Sequence, residues 1–457
     1  MRYISKFSWV RYRYEFGERK RHLLKEPWAG GIVLVICVII ALLLANLEST
    51  SHWYHSILSS RLSFNINSGD GFNLEFPQGL TVEKFINDAL MGIFFFGVGL
   101  EIKREVLIGQ LSSFRRAILP VIAALGGMVL PALVYAFFNS NTPTEAGWGI
   151  PTATDIAFAI GILSILSNKV PLSLKVFLTA LAIADDLGAI IVIAVFYGST
   201  INWMCLTIAF IIIAIVYLIN RLGERRLMFY LIPAIVTWSL FYYSGIHATL
   251  AGVLMAVLIP MRPRYSKMHL LNQSNRTIEN IINSTNNNDD EKYYSNLSDL
   301  SNLSYSSISM SHFLESKLAP FITFIILPIF ALANAGVTIN FDDLNIFVKN
   351  LDGSSIGMGI FFGLVVGKPV GIFITSWIAV KFKLADMPSD ASWSMLFAVA
   401  CLGGIGFTMS IFVDTLAFGS TNPELVAQGK IAILFGSIAS ALLGVLLINL
   451  FTKRKSN

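Results

Sequence analysis

Two adjacent aspartates, Asp185 and Asp186, stand in the middle of an apolar run, Leu181-Ala182-Ile183-Ala184-Asp185-Asp186-Leu187-Gly188-Ala189. Asp155 follows the polar, proline-bearing interruption Pro151-Thr152-Ala153-Thr154 of a second apolar run, and Lys368 lies in Gly367-Lys368-Pro369 within a third. An ionisable side chain at the centre of a bilayer costs at least about 3 kcal/mol, so each of these residues requires a reason. Carboxylate and hydroxyl oxygens are the ligands that hard cations prefer, so the three acids and Thr154 can hold a small cation such as sodium. On a helix Asp185 and Asp186 point about 100° apart, close enough to couple their titrations. A carboxyl that gives up its cation can take a proton. Competition of proton and sodium for one carboxylate is the minimum chemistry of an antiporter. The alternative is a static network neutralised by Lys368, but one lysine cannot balance a tandem pair and a third acid.

Such residues need a membrane-spanning frame. The chain has 457 residues, 55% of them hydrophobic and only 13% charged, against about 25% charged in soluble domains. Trp28–Leu47 alone gives an uncharged block of spanning length. Further blocks fall at Phe85–Leu100, Ala117–Phe138, Trp148–Leu166, Leu174–Tyr197, Met204–Ile219, Leu227–Tyr243, His247–Pro260, Phe313–Gly336, Ile356–Val380, Ser394–Phe418 and Ile431–Phe451. The reading is an all-α polytopic membrane protein with about 12 transmembrane helices. The basic stretch before Trp28 precedes a block too long for a signal sequence and without a small-x-small cleavage site, so the first block reads as a retained span. Lysine and arginine concentrate in alternate loops: the N-terminal tail, Lys103 and Arg104, Arg115 and Arg116, Arg221 to Arg226, Arg262 and Arg264, and Lys453 to Lys455. The positive-inside rule makes those loops, and both termini, cytoplasmic. The same distribution accounts for the net charge of +5 without a nucleic-acid-binding face. Cys37, Cys205 and Cys401 lie inside apolar blocks without metal or disulfide spacing and read as small core residues.

The expected organisation is a basic tail over residues 1–27, spans 1 to 8 over 28–260, a loop over 261–311, spans 9 to 12 over 312–451, and a basic C-terminus over 452–457. Between the first two spans, Leu62, Phe64 and Ile66 alternate with polar residues, Ser68-Gly69-Asp70-Gly71 turns, and Phe72, Leu74 and Phe76 alternate again. This predicts a periplasmic β-hairpin over about 62–76, either lying on its own helices or pairing with a second copy. The 261–311 stretch is rich in Asn and Ser, as in Asn283-Ser284-Thr285-Asn286-Asn287-Asn288, and predicts a disordered cytoplasmic loop. Asn87 and Asp88 are expected to cap the start of their span.

Two spans carry backbone interruptions, Pro151 to Thr154 and Gly403-Gly404-Ile405-Gly406 with Thr408. Each falls in the middle of a three-span set, Ala117–Tyr197 and Ile356–Phe451. Irregular backbone at membrane depth is tolerated where it lines a cavity, and two repeats with one discontinuous helix each present helix-end dipoles to an ion site.

These residues resemble the NhaA family of sodium/proton antiporters, itself a standard instance of the inverted-repeat architecture. The stretches that carry the resemblance are Ile86-Asn87-Asp88-Ala89-Leu90-Met91, Gly99-Leu100-Glu101-Ile102-Lys103-Arg104-Glu105, Thr152-Ala153-Thr154-Asp155-Ile156-Ala157-Phe158, Ala184-Asp185-Asp186-Leu187-Gly188-Ala189-Ile190, Gly245-Ile246-His247-Ala248-Thr249-Leu250-Ala251-Gly252, Ala333-Asn334-Ala335-Gly336-Val337 and Gly367-Lys368-Pro369. Their order spans nearly the whole chain. The resemblance implies an inverted-repeat antiporter fold with two discontinuous helices crossing at the midplane of a bacterial inner membrane. It implies electrogenic exchange of Na+ or Li+ for H+, with no cofactor and no catalytic residue. Asp185 and Asp186 would bind sodium and carry protons, with Thr154 and Asp155 at the crossing. Lys368 would either balance helix-end dipoles opposite Asp155 or pair with Asp185, and the second role is favoured here. Regulation by pH would lie with Glu101, Arg104, Glu105 and Glu315, with His247 near the other side. The best-known members carry histidines just after the acid matching Glu315, where this chain has Ser316 and Ala319, so alkaline activation is expected to be shifted or weaker. The resemblance also implies a homodimer through the β-hairpin.

Two other classes fit these residues less well. An intramembrane aspartyl protease needs its acids on separate spans in Tyr-Asp and Gly-x-Gly-Asp settings, and neither motif occurs. A sodium-coupled symporter of an organic solute shares broken midplane helices, but it needs a substrate pocket for which no distinct polar cluster exists.

Overall fold

The computed structural model describes residues 27–62, 64–68, 72–76, 80–167, 169–198, 201–263, 267–286, 289–338, 355–419 and 422–456. The N-terminal basic tail lies outside these, except for Pro27 at the start of the first helix.

That helix, α1 (Pro27–Asn46), shows why the chain folds as it does. Leu34, Val38, Ala41 and Ala45 are buried at helical spacing, while Ile36, Ile39 and Leu43 on the other face are 50%, 52% and 54% exposed. A helix apolar on all sides has lipid as the partner of its outer face. The chain continues through α2 (Glu48–Ser59) to two strands, β1 (Phe64–Ser68) and β2 (Phe72–Phe76). These pair antiparallel with Ile66 opposite Leu74; the Gly69-Asp70-Gly71 turn lies outside the described residues.

Next come α3 (Val82–Leu107), α4 (Phe114–Asn139), a 3-10 segment (Glu145–Thr152), α5 (Ile156–Ile165), α6 (Leu172–Phe196), α7 (Trp203–Arg221), α8 (Met228–Ser244) and α9 (Thr249–Leu258). The second half holds α10 (Lys267–Asn286), α11 (Asp290–Ser307), α12 (Met310–Asn334), α13 (Ile356–Lys381), α14 (Trp393–Gly403), α15 (Phe407–Phe418) and α16 (Pro423–Ser456). Among the described residues nine helices are long and apolar enough to cross a membrane, or ten if α14 and α15, bent by 46° at their break, form one span. The protein is an all-α polytopic membrane protein. Its main core is one cluster that runs from Leu34 of α1 to Ile448 of α16; within it the Phe412 ring of α15 lies 5.7 Å from Phe95 of α3 and 6.2 Å from Phe330 of α12.

Three expectations need correction. Asn87 and Asp88 do not cap their helix: α3 starts at Val82, where the Thr81 side chain accepts from the Lys84 N–H at 3.2 Å. Asn87 instead sits in a π-helical turn, Ile86–Leu90, and exchanges amide hydrogen bonds with buried Asn334 at 2.7 and 3.2 Å. The C-terminal basic residues continue α16 to Ser456 rather than forming a separate tail.

The third concerns 261–311, where composition predicts disorder and the structure has α10 and α11 packed as a helical hairpin. The less exposed positions of α10 are Leu270, Ser274, Thr277, Ile281 and Ser284, and those of α11 are Tyr293, Asn296, Leu300, Leu303 and Ser307. This is a 3-4 seam in which serine, threonine and asparagine occupy half the positions. Ser274 and Ser284 turn their hydroxyls back onto Leu270 and Asn280 carbonyls at 2.7 and 2.9 Å, which makes them acceptable in a packed seam. Deleting residues 265–308 is expected to leave exchange within about twofold of the full chain, because an exposed hairpin adds little to the membrane bundle. Transport by the deletion variant at matched membrane levels checks this; a large loss would make the hairpin a regulatory element.

Candidate functional site

Asp185 and Asp186 lie in the middle of α6, each 1% exposed. The Lys368 ammonium, 0% exposed, donates to Asp185 Oδ2 at 2.7 Å and to the carbonyl of Thr152. Lys368 arrives there because α13 touches α4 closely. A Cβ on Gly371 would collide with the Gly126 carbonyl, and one on Gly126 would fall 2.5 Å from the Gly371 carbonyl, so only glycine allows this approach. Immediately before Lys368, α13 widens into a π turn, Gly363–Gly367. That turn fits around Pro131 of α4: a Cβ on Gly367 would lie 2.8 Å from Pro131 Cα. π turns of this kind recur at functional sites.

Asp155 joins the two interruptions. Its side chain caps α5 by accepting from Phe158 N–H at 3.2 Å. The other carboxylate oxygen accepts from the Thr408 N–H at 3.1 Å and from the Thr408 hydroxyl, at the first turn of α15. Its own N–H donates to the Ile405 carbonyl at 2.7 Å. Thr154 Oγ1 donates to the Gly403 carbonyl at 2.9 Å. One carboxylate therefore satisfies amides at two helix starts, where negative charge is favoured. Thr408, noted in the sequence only as part of an interruption, emerges as the partner that ties the two together.

Asp186, Asp155, Thr154 and Thr408 line a cavity of about 270 Å3 that also reaches Glu101, Arg104 and Glu315. Among the described residues, Asp186 Oδ1 and Asp185 Oδ1 have no hydrogen-bond partner. Two buried acceptors without donors are where a cation or a proton can be accommodated. At the far end, Arg104 bonds Glu315 at 2.6 Å and Glu105 at 3.0 Å, with Glu101 3.9 Å away. The sequence-selected residues Glu101, Arg104, Glu105 and Glu315 thus form one cluster. His247 is not part of it: its Nε2 meets the Tyr197 carbonyl, and the Tyr197 hydroxyl donates to the Ala146 carbonyl at 2.8 Å, at the start of the 3-10 segment.

Sequence reasoning missed two buried charged groups, Asp414 on α15 and Lys430 on α16, which are 0% and 8% exposed. The signal was available, since Asp414 stands in the apolar run Phe407–Phe418 just as Asp185 stands in its own. It also missed the Asn87–Asn334 pair, although both residues belong to stretches it singled out.

The sequence model of a family described as Na+/H+ antiporter 1 matches residues 21–448. The chain is 42% identical over 419 residues to the Na(+)/H(+) antiporter NhaA of Escherichia coli strain K12, covering 91% of this chain and 94% of that one. The NhaA protein of Shigella dysenteriae serotype 1 matches to the same extent, and that of Salmonella paratyphi B is 41% identical over 417 residues. On a match that runs through nearly every span and through the Asp185–Lys368 site, the chain belongs to the Na+/H+ antiporter 1 family.

Proposed function

We propose that this sodium/proton antiporter binds its ions at Asp185 and Asp186 and works by alternating access in a bacterial inner membrane. The observation that carries this reading is the division of labour in one site. Asp186 and Asp155 line the cavity that leads to the Arg104 cluster, while Asp185 holds Lys368. Sodium entering by that cavity meets Asp186, Thr154 and Thr408 oxygens first. As it engages Asp185, Lys368 loses its counter-charge, and a lysine left alone in the interior sheds its proton. Asp186, protonated before sodium arrives, gives up its own proton to the ion, so release of sodium on the other side returns one proton to Asp186 and one to Lys368. More than one proton then moves per sodium, so exchange is electrogenic, and lithium, equally a hard cation, takes the same ligands.

The frame we propose has 12 spans: nine long helices, the α14–α15 pair, and the shorter apolar helices α8 and α9. The 3-10 segment with α5, and α14 with α15, are the two discontinuous helices of an inverted repeat, their dipoles answered by Asp155. Basic loops place both termini in the cytoplasm, which makes the Arg104 cluster the cytoplasmic mouth and its Glu101, Glu105 and Glu315 carboxylates the pH-responsive groups. His247, at the other end, would sense the periplasmic side. A solute symporter is not favoured, since the family and the relatives are named for sodium/proton exchange. The test is addition of NaCl or LiCl to everted vesicles acidified by respiration. Collapse of the pH gradient is expected; an unchanged gradient at verified protein levels would overturn the reading.

Strands β1 and β2 leave open edges, and we infer that a second copy covers them. Removing residues 62–76 is expected to shift the detergent-solubilised protein from dimer to monomer while exchange stays within about twofold, because the ion site lies inside one chain. Light scattering of the purified variant decides it; a persistent dimer would place the contact elsewhere.

A further inference from the structure

The break between α14 and α15 exposes the first N–H groups of a helix inside the membrane bundle, and each of them needs an acceptor. Gly406, the residue before α15, has no side chain to cap it. The Thr408 N–H donates to Asp155 Oδ2 at 3.1 Å, and the Ser410 N–H donates to the Gly406 carbonyl at 2.9 Å. The Phe407 N–H is answered from another helix. It donates to Ser437 Oγ of α16 at 3.1 Å, so the cap of α15 comes from 30 positions further along the chain.

Ser437 is only 5% exposed. With Phe158, Ile405 and Phe407 it lines a cavity of about 640 Å3 whose other lining side chains are apolar. Without the serine hydroxyl, such surroundings offer the Phe407 N–H no replacement acceptor. Serines in apolar helices commonly bond back to their own carbonyls, yet Ser437 and Ser440, three residues apart on one face of α16, both reach across to neighbours. Ser440 Oγ donates at 3.4 Å to the Leu364 carbonyl, in the π turn before Lys368. The residue in π register with that carbonyl is Pro369, which has no N–H. A Cβ on Gly404 would collide with the same carbonyl and fall 2.8 Å from Ser440 Oγ, so the break, the π turn and α16 meet at one place. α16 thus braces the Asp155 side of the ion site through Ser437 and the Lys368 side through Ser440.

We propose that Ser437 is a positioning residue of the ion site. By fixing the first N–H of α15 it holds the next residue, Thr408, with its N–H and hydroxyl both on Asp155, and so sets the affinity for sodium. Thr408 and Asp155 line the ion cavity, whereas Ser437 stands behind it and meets no ion. This deepens the antiport reading above and rests on it.

Sodium titration calorimetry and exchange in proteoliposomes test this on the full-length protein with Ser437→Ala, Ser437→Thr, Thr408→Ala and the double variant Ser437→Ala/Thr408→Ala. Ser437→Ala is expected to raise both the Kd and half-saturating sodium about tenfold, with the maximal rate within about twofold of wild type. Ser437→Thr keeps the hydroxyl and should bind within about twofold of wild type. In the Thr408→Ala background the effect of Ser437→Ala should shrink to about threefold, because only the N–H of residue 408 is left to orient. Wild-type affinity in Ser437→Ala, no rescue by threonine, or an undiminished tenfold effect in the double variant would make Ser437 a cap of α15 alone and overturn the proposal. If Ser437→Ala does not insert, Ser437→Cys, whose thiol is a weak acceptor, carries the decision by the same criteria. A wild type that binds no sodium would overturn the ion-site reading and this one together.

Discussion

Asp186→Asn should reduce sodium-dependent proton movement by about a hundredfold or more while leaving insertion and packing intact. Asparagine keeps the size of aspartate but neither binds a cation with full charge nor takes a proton at any physiological pH. Losing one partner of a buried charged site costs about 3 kcal/mol or more, which is about two orders of magnitude in affinity. Asp186 is the cleaner of the two positions because it lines the cavity and makes no ion pair among the described residues. Asp185→Asn should abolish exchange as well, but it also strands Lys368, whose ammonium is bonded to Asp185 at 2.7 Å. It is therefore expected to lower thermal stability where Asp186→Asn does not. Sodium efflux at matched membrane levels, with a melting curve of each purified variant, separates the two effects. Near wild-type exchange by Asp186→Asn would remove that residue from the site.

The second large effect is expected at Lys368, where arginine distinguishes a fixed charge from a moving proton. Arginine stays protonated at any accessible pH, its pKa lying above about 12. If Lys368 only balances Asp185 or the helix ends, Lys368→Arg should keep exchange that responds to membrane potential. If it must give up its proton when sodium takes Asp185, the variant should be inactive or electroneutral, and this is the outcome expected. The Lys368 side chain is fully buried and its ammonium is held by Asp185 and the Thr152 carbonyl, so the larger guanidinium needs a control for fit. Sodium binding to the purified variant supplies it. Intact binding with potential-independent exchange identifies a lost proton carrier, and unchanged potential-dependent exchange rules that role out.

Much of this site could be read in the sequence because lipid makes charge conspicuous. Asp155, Asp185, Asp186 and Lys368 stand out in apolar runs, and glycine and proline mark the interruptions that surround them. What the sequence hides is partnership across distance. Asn87 looks like a cap and Asn334 like one more residue near the end of a span until the fold brings them together across 247 positions. Thr408 acquires its meaning only when Asp155 reaches it from the other half of the chain. The α10–α11 hairpin was hidden for another reason: its seam mixes leucine and isoleucine with serine, threonine and asparagine, so composition reads as disorder while spacing reads as helix. Asp414 shows a rule applied to one apolar run and not to the next.

The central claim is that sodium and protons compete for the Asp185–Asp186 pair, and equilibrium binding tests it most directly. Calorimetric titration of the purified protein with NaCl, repeated across pH and in buffers of different ionisation enthalpy, gives both the affinity and the number of protons released. The account predicts release of more than one proton on sodium binding and an apparent Kd that rises by more than tenfold, up to about a hundredfold, for each unit of acidification once the proton-carrying groups are protonated, with the share that belongs to Asp186 lost in Asp186→Asn. Sodium binding that is independent of pH and releases no proton would contradict it.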